Sequence, residues 1–166
     1  MEQKLIEIFR KVQAIPYKCR GEEHFSCLNI MPLYANCNKK RDLLKNLLGG
    51  EGFESRDLDA IFDWTDLPIP QEIIRILRNS GTHQKHHLLE IRVNGNYIKI
   101  DATWNPELGN RGFPVTKNWD GNSDTEPITP GTILFYDPFF RKVSLPYFPI
   151  ERGDFAREFN EWLGFK

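Results

Sequence analysis

Residues 86–104 decide the fold of this chain: His86-His87-Leu88-Leu89-Glu90-Ile91-Arg92-Val93-Asn94-Gly95-Asn96-Tyr97-Ile98-Lys99-Ile100-Asp101-Ala102-Thr103-Trp104. Two alternating runs flank Asn94-Gly95, the pair suited to a two-residue type I′ hairpin, in which both central residues take positive φ. That turn makes Val93 oppose Asn96, Arg92 oppose Tyr97, Ile91 oppose Ile98 and Glu90 oppose Lys99, so charges of opposite sign and aliphatic side chains pair sensibly. Continued outward, Leu88 opposes Asp101, and His86 lies on the same face one pair along. His87 falls on the other face with Leu89, Ile91, Ile98 and Ile100, the expected core side. A slip of one residue would exchange the two histidines, so the register selects His86 as the neighbour of Asp101 and keeps His87 as its alternative.

Helices are expected on both sides of this hairpin. Leu5, Ile8, Phe9 and Val12 recur at helical spacing over residues 2–13, and Ile15-Pro16 ends the run, because a residue before proline is driven out of the α region. Residues 17–35 are turn-rich and carry no regular pattern. Asn36 is a good N-cap for a second helix whose apolar stripe is Leu43, Leu44, Leu47 and Leu48, with Gly49-Gly50 as its stop. Residues 52–56 predict a short strand, and Pro70 opens a helix with Ile73, Ile74, Ile76 and Leu77 that Ser80-Gly81 closes. Residues 105–131 read as a long surface loop, residues 132–136 as a strand, and Phe155, Phe159, Trp162 and Leu163 as the apolar face of a last helix. With no internal repeat or linker, residues 1–166 are expected to form a single α+β domain.

The chain has 166 residues, 40% of them hydrophobic, enough for one sizeable core. Its 22 Lys+Arg nearly balance 23 Asp+Glu, which gives no electrostatic argument for a nucleic-acid partner. No apolar stretch approaches the ~20 residues of a membrane span, and residues 1–6 enter an amphipathic pattern rather than a signal-peptide core. The expectation is a cytoplasmic protein with no membrane partner and no cofactor. Cys19, Cys27 and Cys37 make an odd count and are expected to be thiols rather than a disulfide framework.

Cys37 stands in the first turn of the expected second helix, where unpaired backbone N–H groups and the positive dipole end favour a thiolate. A free cysteine is otherwise most often a small buried residue. What changes the balance is the order of the chain: a nucleophile, then a histidine at 86 that serves as base, then a carboxylate at 101 that fixes the tautomer of that histidine. Tyr34 and Asn36 are candidate second oxyanion donors beside the Cys37 backbone N–H, against their ordinary roles as buried tyrosine and helix cap. Trp64, Trp104, Trp119 and the Phe139-Phe140 pair are candidate groove residues, with core packing as the default.

On Asn36-Cys37 and its leucine-rich helix, Gly52-Phe53 through Arg56, His86 with Glu90 four residues on, and Asp101-Ala102-Thr103-Trp104, the chain resembles the transglutaminase-like family of the papain-like cysteine-protease superfamily. Asn118-Trp119-Asp120-Gly121 is a weaker addition. The resemblance covers roughly residues 34–104. It departs from the family at Ala35, where a glycine often stands two residues before the cysteine, and at His87-Leu88, where a small residue and an aromatic usually follow the histidine. It implies a central helix bearing the cysteine packed on an antiparallel sheet, with Cys37 as nucleophile, His86 as general base and acid, and Asp101 as orienting carboxylate. The implied activity is cysteine-nucleophile acyl transfer, by hydrolysis or transamidation of a peptide or protein amide through a thioester. Such folds also occur as inactive peptide- or protein-binding modules, which is the alternative.

Two further readings compete. A zinc site built from Cys19, His24, Cys27 and Cys37, with His83, lacks the paired C-x₂-C knuckles of most structural zinc sites, so no metal is expected. An arylamine acetyltransferase resembles the same Cys–His–Asp order, but no cofactor-binding portion is recognisable.

Overall fold

The computed structural model describes residues 2–19 and 31–165. Helix α1, Glu2–Gln13, buries Leu5, Ile8, Phe9 and Val12. Helix α2, Cys37–Gly50, starts after Asn36, whose side chain accepts the Lys39 N–H at 3.0 Å. This N-cap satisfies one of the orphan donors of the first turn and fixes where the helix begins. Leu44 and Leu48 are buried with Leu89, Ile91 and Ile100 of the hairpin and with the apolar face of α1, forming one of the cores.

The sheet has four antiparallel strands in the order β3-β2-β1-β4. They are β1 Ser55–Asp63, β2 His83–Val93, β3 Asn96–Ile100 and β4 Leu134–Tyr136. The hairpin register is the expected one, with Val93 opposite Asn96, Ile91 opposite Ile98 and Glu90 opposite Lys99. Asn94 and Gly95 take φ of 50° and 87°, as a type I′ turn requires. The expected Glu90–Lys99 ion pair is not made. Glu90 accepts from Arg56 at 2.6 Å, and Lys99 reaches Asp124 at 2.6 Å.

Strand β1 extends well past the short strand expected at residues 52–56. Aspartate is depleted in strands, yet Asp57 and Asp59 both lie within this one. Asp57 faces Arg41 and Lys45 of α2 at 3.3 and 2.8 Å, and Asp59 accepts from His87 at 2.7 Å. Contacts from other elements override the local preference. Strand β2 likewise begins at His83, three residues earlier than the alternation indicated. Helix α3 is a single turn, Gln71–Ile74, that tightens into a 3₁₀ turn at Arg75–Leu77.

A second core joins Phe62 and Trp64 to Trp104, Phe113, Phe155 and Phe159. Helix α4, Pro149–Leu163, supplies the last two of these. Its buried Arg152 donates to the carbonyls of Ser80, Gly81 and His83 at 3.2, 3.0 and 3.1 Å, which fastens α4 to the start of β2. The stretch after Trp104 is not simply a surface loop. It carries a 3₁₀ turn at Pro106–Arg111 and buries Phe113, Val115, Trp119 and Ile128. No helix among the described residues is long and apolar enough to cross a membrane.

Candidate active site

Three elements deliver the sequence-predicted residues to one place. The Asn36 cap sets Cys37 at the first turn of α2, half-buried. Strand β2 carries His86, opposite Ala60 of β1, with its side chain 1% exposed. Asp101 follows the end of β3 directly, with its side chain 6% exposed. His86 Nε2 lies 2.6 Å from Asp101 Oδ2, and Phe62 meets the imidazole edge-on, 6.1 Å between ring centroids.

Asp101 is held from three directions. Its Oδ1 accepts the Thr103 N–H at 3.0 Å, its own N–H donates to Thr125 Oγ1 at 2.9 Å, and Oδ2 takes the imidazole. Lys40, one turn after Cys37 and 1% exposed, ties the next residues to α2. Its Nζ donates to the carbonyls of Ala102, Thr103 and Gln13 at 3.1, 2.9 and 3.2 Å, so all three ammonium protons are used. The helix bearing Cys37 and the segment bearing Asp101 are thereby joined through one buried cation.

The electrostatics of the pair follow from burial opposed by charge. Burial by itself would lower the His86 pKa. The Asp101 charge and hydrogen bond, with the Cys37 sulfur adding to both effects, outweigh it and raise His86 to about 10. Burial would raise Asp101, and the His86 charge and hydrogen bond, with those from Thr103, hold it below its ordinary value. With Nε2 committed to Asp101, Nδ1 is the ring nitrogen left for the Cys37 sulfur, and it is buried. Burial pulls Lys40 down to about 7, against the attraction of Asp101 and Glu107.

Cys37 and His86 open onto a cleft of about 470 Å³, a size typical of small-ligand sites. Cys37 and His86 are in its wall, as are Tyr17, Trp64 and Trp104, while residues 143–147 contribute Val143, Leu145 and Pro146. Trp119 instead packs on Phe9 in the other core, and Phe139 and Phe140 are exposed and outside the cleft, so they are not groove residues. Tyr34 is also outside it, under the Lys18 ammonium and against Phe165. Asn36 borders the cleft but serves as the helix cap.

Two donors are present: Tyr17, which the sequence did not single out, and Trp64, expected only as a groove residue. The Tyr17 hydroxyl is held protonated, because burial and the neighbouring Cys19 and Cys37 sulfurs push its pKa well up. Trp64 Nε1 is buried without a hydrogen-bond partner. Tyr17 reaches the site through an isolated bridge between Tyr17 and Ala35, a long-range pairing with no local signature.

His87 is not a core residue. It is half-buried, lines the same cleft, and its Nδ1 pairs with the buried Asp59 at 2.7 Å. The register expected from the hairpin holds, but at this end of β2 that face meets the buried Asp59 carboxylate and the cleft rather than the apolar core. Cys19 also borders the cleft, its N–H and carbonyl clamped by the Asn160 side chain at 2.8 and 2.7 Å. His24 and Cys27 of the zinc reading lie outside the described residues. Among those described, no group of three or more His, Cys, Asp and Glu could hold a metal ion. Set against known proteins, the chain matches no family model, no curated protein and no solved structure.

Proposed function

We propose that the cleft is the active site of a cysteine-nucleophile acyl-transfer enzyme with Cys37, His86 and Asp101 as its catalytic residues, on a core of the transglutaminase-like, papain-like kind. The observation that carries this reading is the state of His86. One ring nitrogen is bound to a buried carboxylate at 2.6 Å, the other is buried, and the sulfur at the mouth of α2 acts on the same ring.

In this mechanism the Cys37 proton passes to His86 Nδ1, and the resulting ion pair is favoured by Asp101 behind the ring. The sulfur attacks the substrate carbonyl carbon, forming a C–S bond and placing negative charge on the oxygen. The Cys37 backbone N–H at the helix terminus, with the Tyr17 hydroxyl or Trp64 Nε1, is suited to accept that charge. Collapse breaks the bond to the amine or alcohol, which leaves with the proton from His86. Water or an amine then attacks the thioester, gives its proton to His86, and releases Cys37 as the thiolate.

The test is a burst experiment with 4-nitrophenyl acetate followed by intact mass spectrometry. The expected result is a 4-nitrophenolate burst with one acetyl group on Cys37, absent in Cys37→Ala and His86→Ala. Acetylation spread over surface lysines, unaffected by either substitution, would refute the proposal.

A further inference from the structure

The long strand β2 is paired on both sides over only part of its length. Strand β3 ends at Ile100, opposite Leu89, whereas β2 runs back to His83. On the other side, β1 pairs with β2 all the way to Asp63 opposite His83. The edge of β2 over residues 83–88 that would have continued against β3 is therefore unpaired. Lys40 explains the opening, because it takes the Ala102 carbonyl that would otherwise bond His87 and prolong the β3 ladder.

The register says which main-chain groups point outward there. In an antiparallel pair, residues alternate between bonding one neighbour and the other. Leu89, Ile91 and Val93 bond β3, so His87, Lys85 and His83 turn their N–H and C=O groups to the same side. Arg92, which donates to the Glu54 carbonyl at 2.9 Å, confirms that the intervening residues bond the β1 side. Of the outward groups, the His83 carbonyl is taken by Arg152 and the Lys85 carbonyl by the Gln84 side chain at 2.9 Å. Among the described residues, nothing bonds the N–H or C=O of His87 or the N–H of Lys85 from that side. These groups flank His86, and residues 83–87 border the cleft that holds Cys37.

We infer that this open edge, centred on His87, binds the main chain of an extended peptide substrate as an added strand, placing its acyl carbonyl at Cys37. The inference rests on the acyl-transfer reading. A donor and an acceptor on one residue, with a further donor two residues away, match the N–H and C=O spacing of an extended polypeptide. Val143, Leu145 and Pro146 in the same cleft supply apolar contacts to side chains that alternate off such a strand.

Chloromethyl ketones test this on the intact protein, since the Cys37 sulfur displaces chloride and the adduct is located by mass spectrometry. Acetyl-trialanyl chloromethyl ketone should label Cys37 at least tenfold faster than chloroacetone. Methylating the three alanine nitrogens one at a time should remove that advantage at one position and spare the next along the chain. The ratio of peptidyl to chloroacetone rates should also be lower in His87→Pro than in His87→Ala, because proline removes the outward N–H and breaks no ladder bond. Equal rates for the two reagents, or methyl effects all within twofold, would overturn the inference. So would a His87→Pro ratio equal to that of His87→Ala, or an edge occupied by a second copy, seen as a dimer by light scattering. If chloroacetone shows no preference for Cys37 over Cys19, the catalytic reading fails, and the peptide-binding edge fails with it.

Discussion

Substituting His86 by glutamine should change how stability depends on pH, and by an amount the structure sets. The folded pKa of about 10 lies above the ordinary 6.5, so the stabilisation from the charged ring is complete below pH 6.5 and is lost as pH rises through 10. At about 1.4 kcal/mol per pH unit, the full window is worth on the order of 5 kcal/mol. Lys40 acts with the opposite sign in nearly the same window. Its folded pKa of about 7 lies below 10.5, so the penalty for burying its charge is full below pH 7 and fades as pH approaches 10.5. The two effects are of similar size, and the wild-type profile alone would look flat. Differences between proteins separate them. Urea unfolding of wild type and His86→Gln from pH 6 to 10 should show the wild-type advantage shrinking by several kcal/mol. The same measurement on Lys40→Met should show the wild type gaining relative to the variant as pH rises. A His86→Gln difference that stays constant within about 1 kcal/mol over this range would refute the assignment of a charged, carboxylate-paired imidazole.

Asp101→Asn should retain partial acyl transfer, because it disturbs the tautomer and orientation of His86, whereas the Cys37→Ala/His86→Ala double variant should be hardly worse than either single one in steady-state assays. Tyr17→Phe should reduce kcat about 10²-fold if its hydroxyl carries oxyanion charge, measured as ester turnover against Trp64→Phe. Arg152→Met should destabilise by roughly 2–5 kcal/mol in urea unfolding, since it leaves the buried carbonyls of Ser80, Gly81 and His83 without their donor. Gly95→Ala should cost about 1–2 kcal/mol in the same assay, because φ there is 87° and a Cβ disfavours it.

The hairpin, both long N-terminal segments of structure and the meeting of His86 with Asp101 were legible in the sequence because each depends on local rules. Asn94-Gly95 sets a turn, the turn sets a register, and the register sets which side chains share a face. Asn36 marks the start of α2 in the same way, and with it the position of Cys37. What local rules could not reach was decided by partners distant along the chain. Strand β1 holds aspartates because Arg41, Lys45 and His87 meet them. His87 leaves the core because the buried Asp59 carboxylate pairs with it at the wall of the cleft, and Tyr17 enters the cleft through a bridge to Ala35. Lys40 looks in sequence like an exposed helix residue. Only in the fold do three carbonyls from two other segments converge on its ammonium, which binds α2 to the Asp101 segment and leaves the edge of β2 open. Periodicity carries information about one element and its neighbour, while a buried polar group takes its role from whichever segments the fold brings to it.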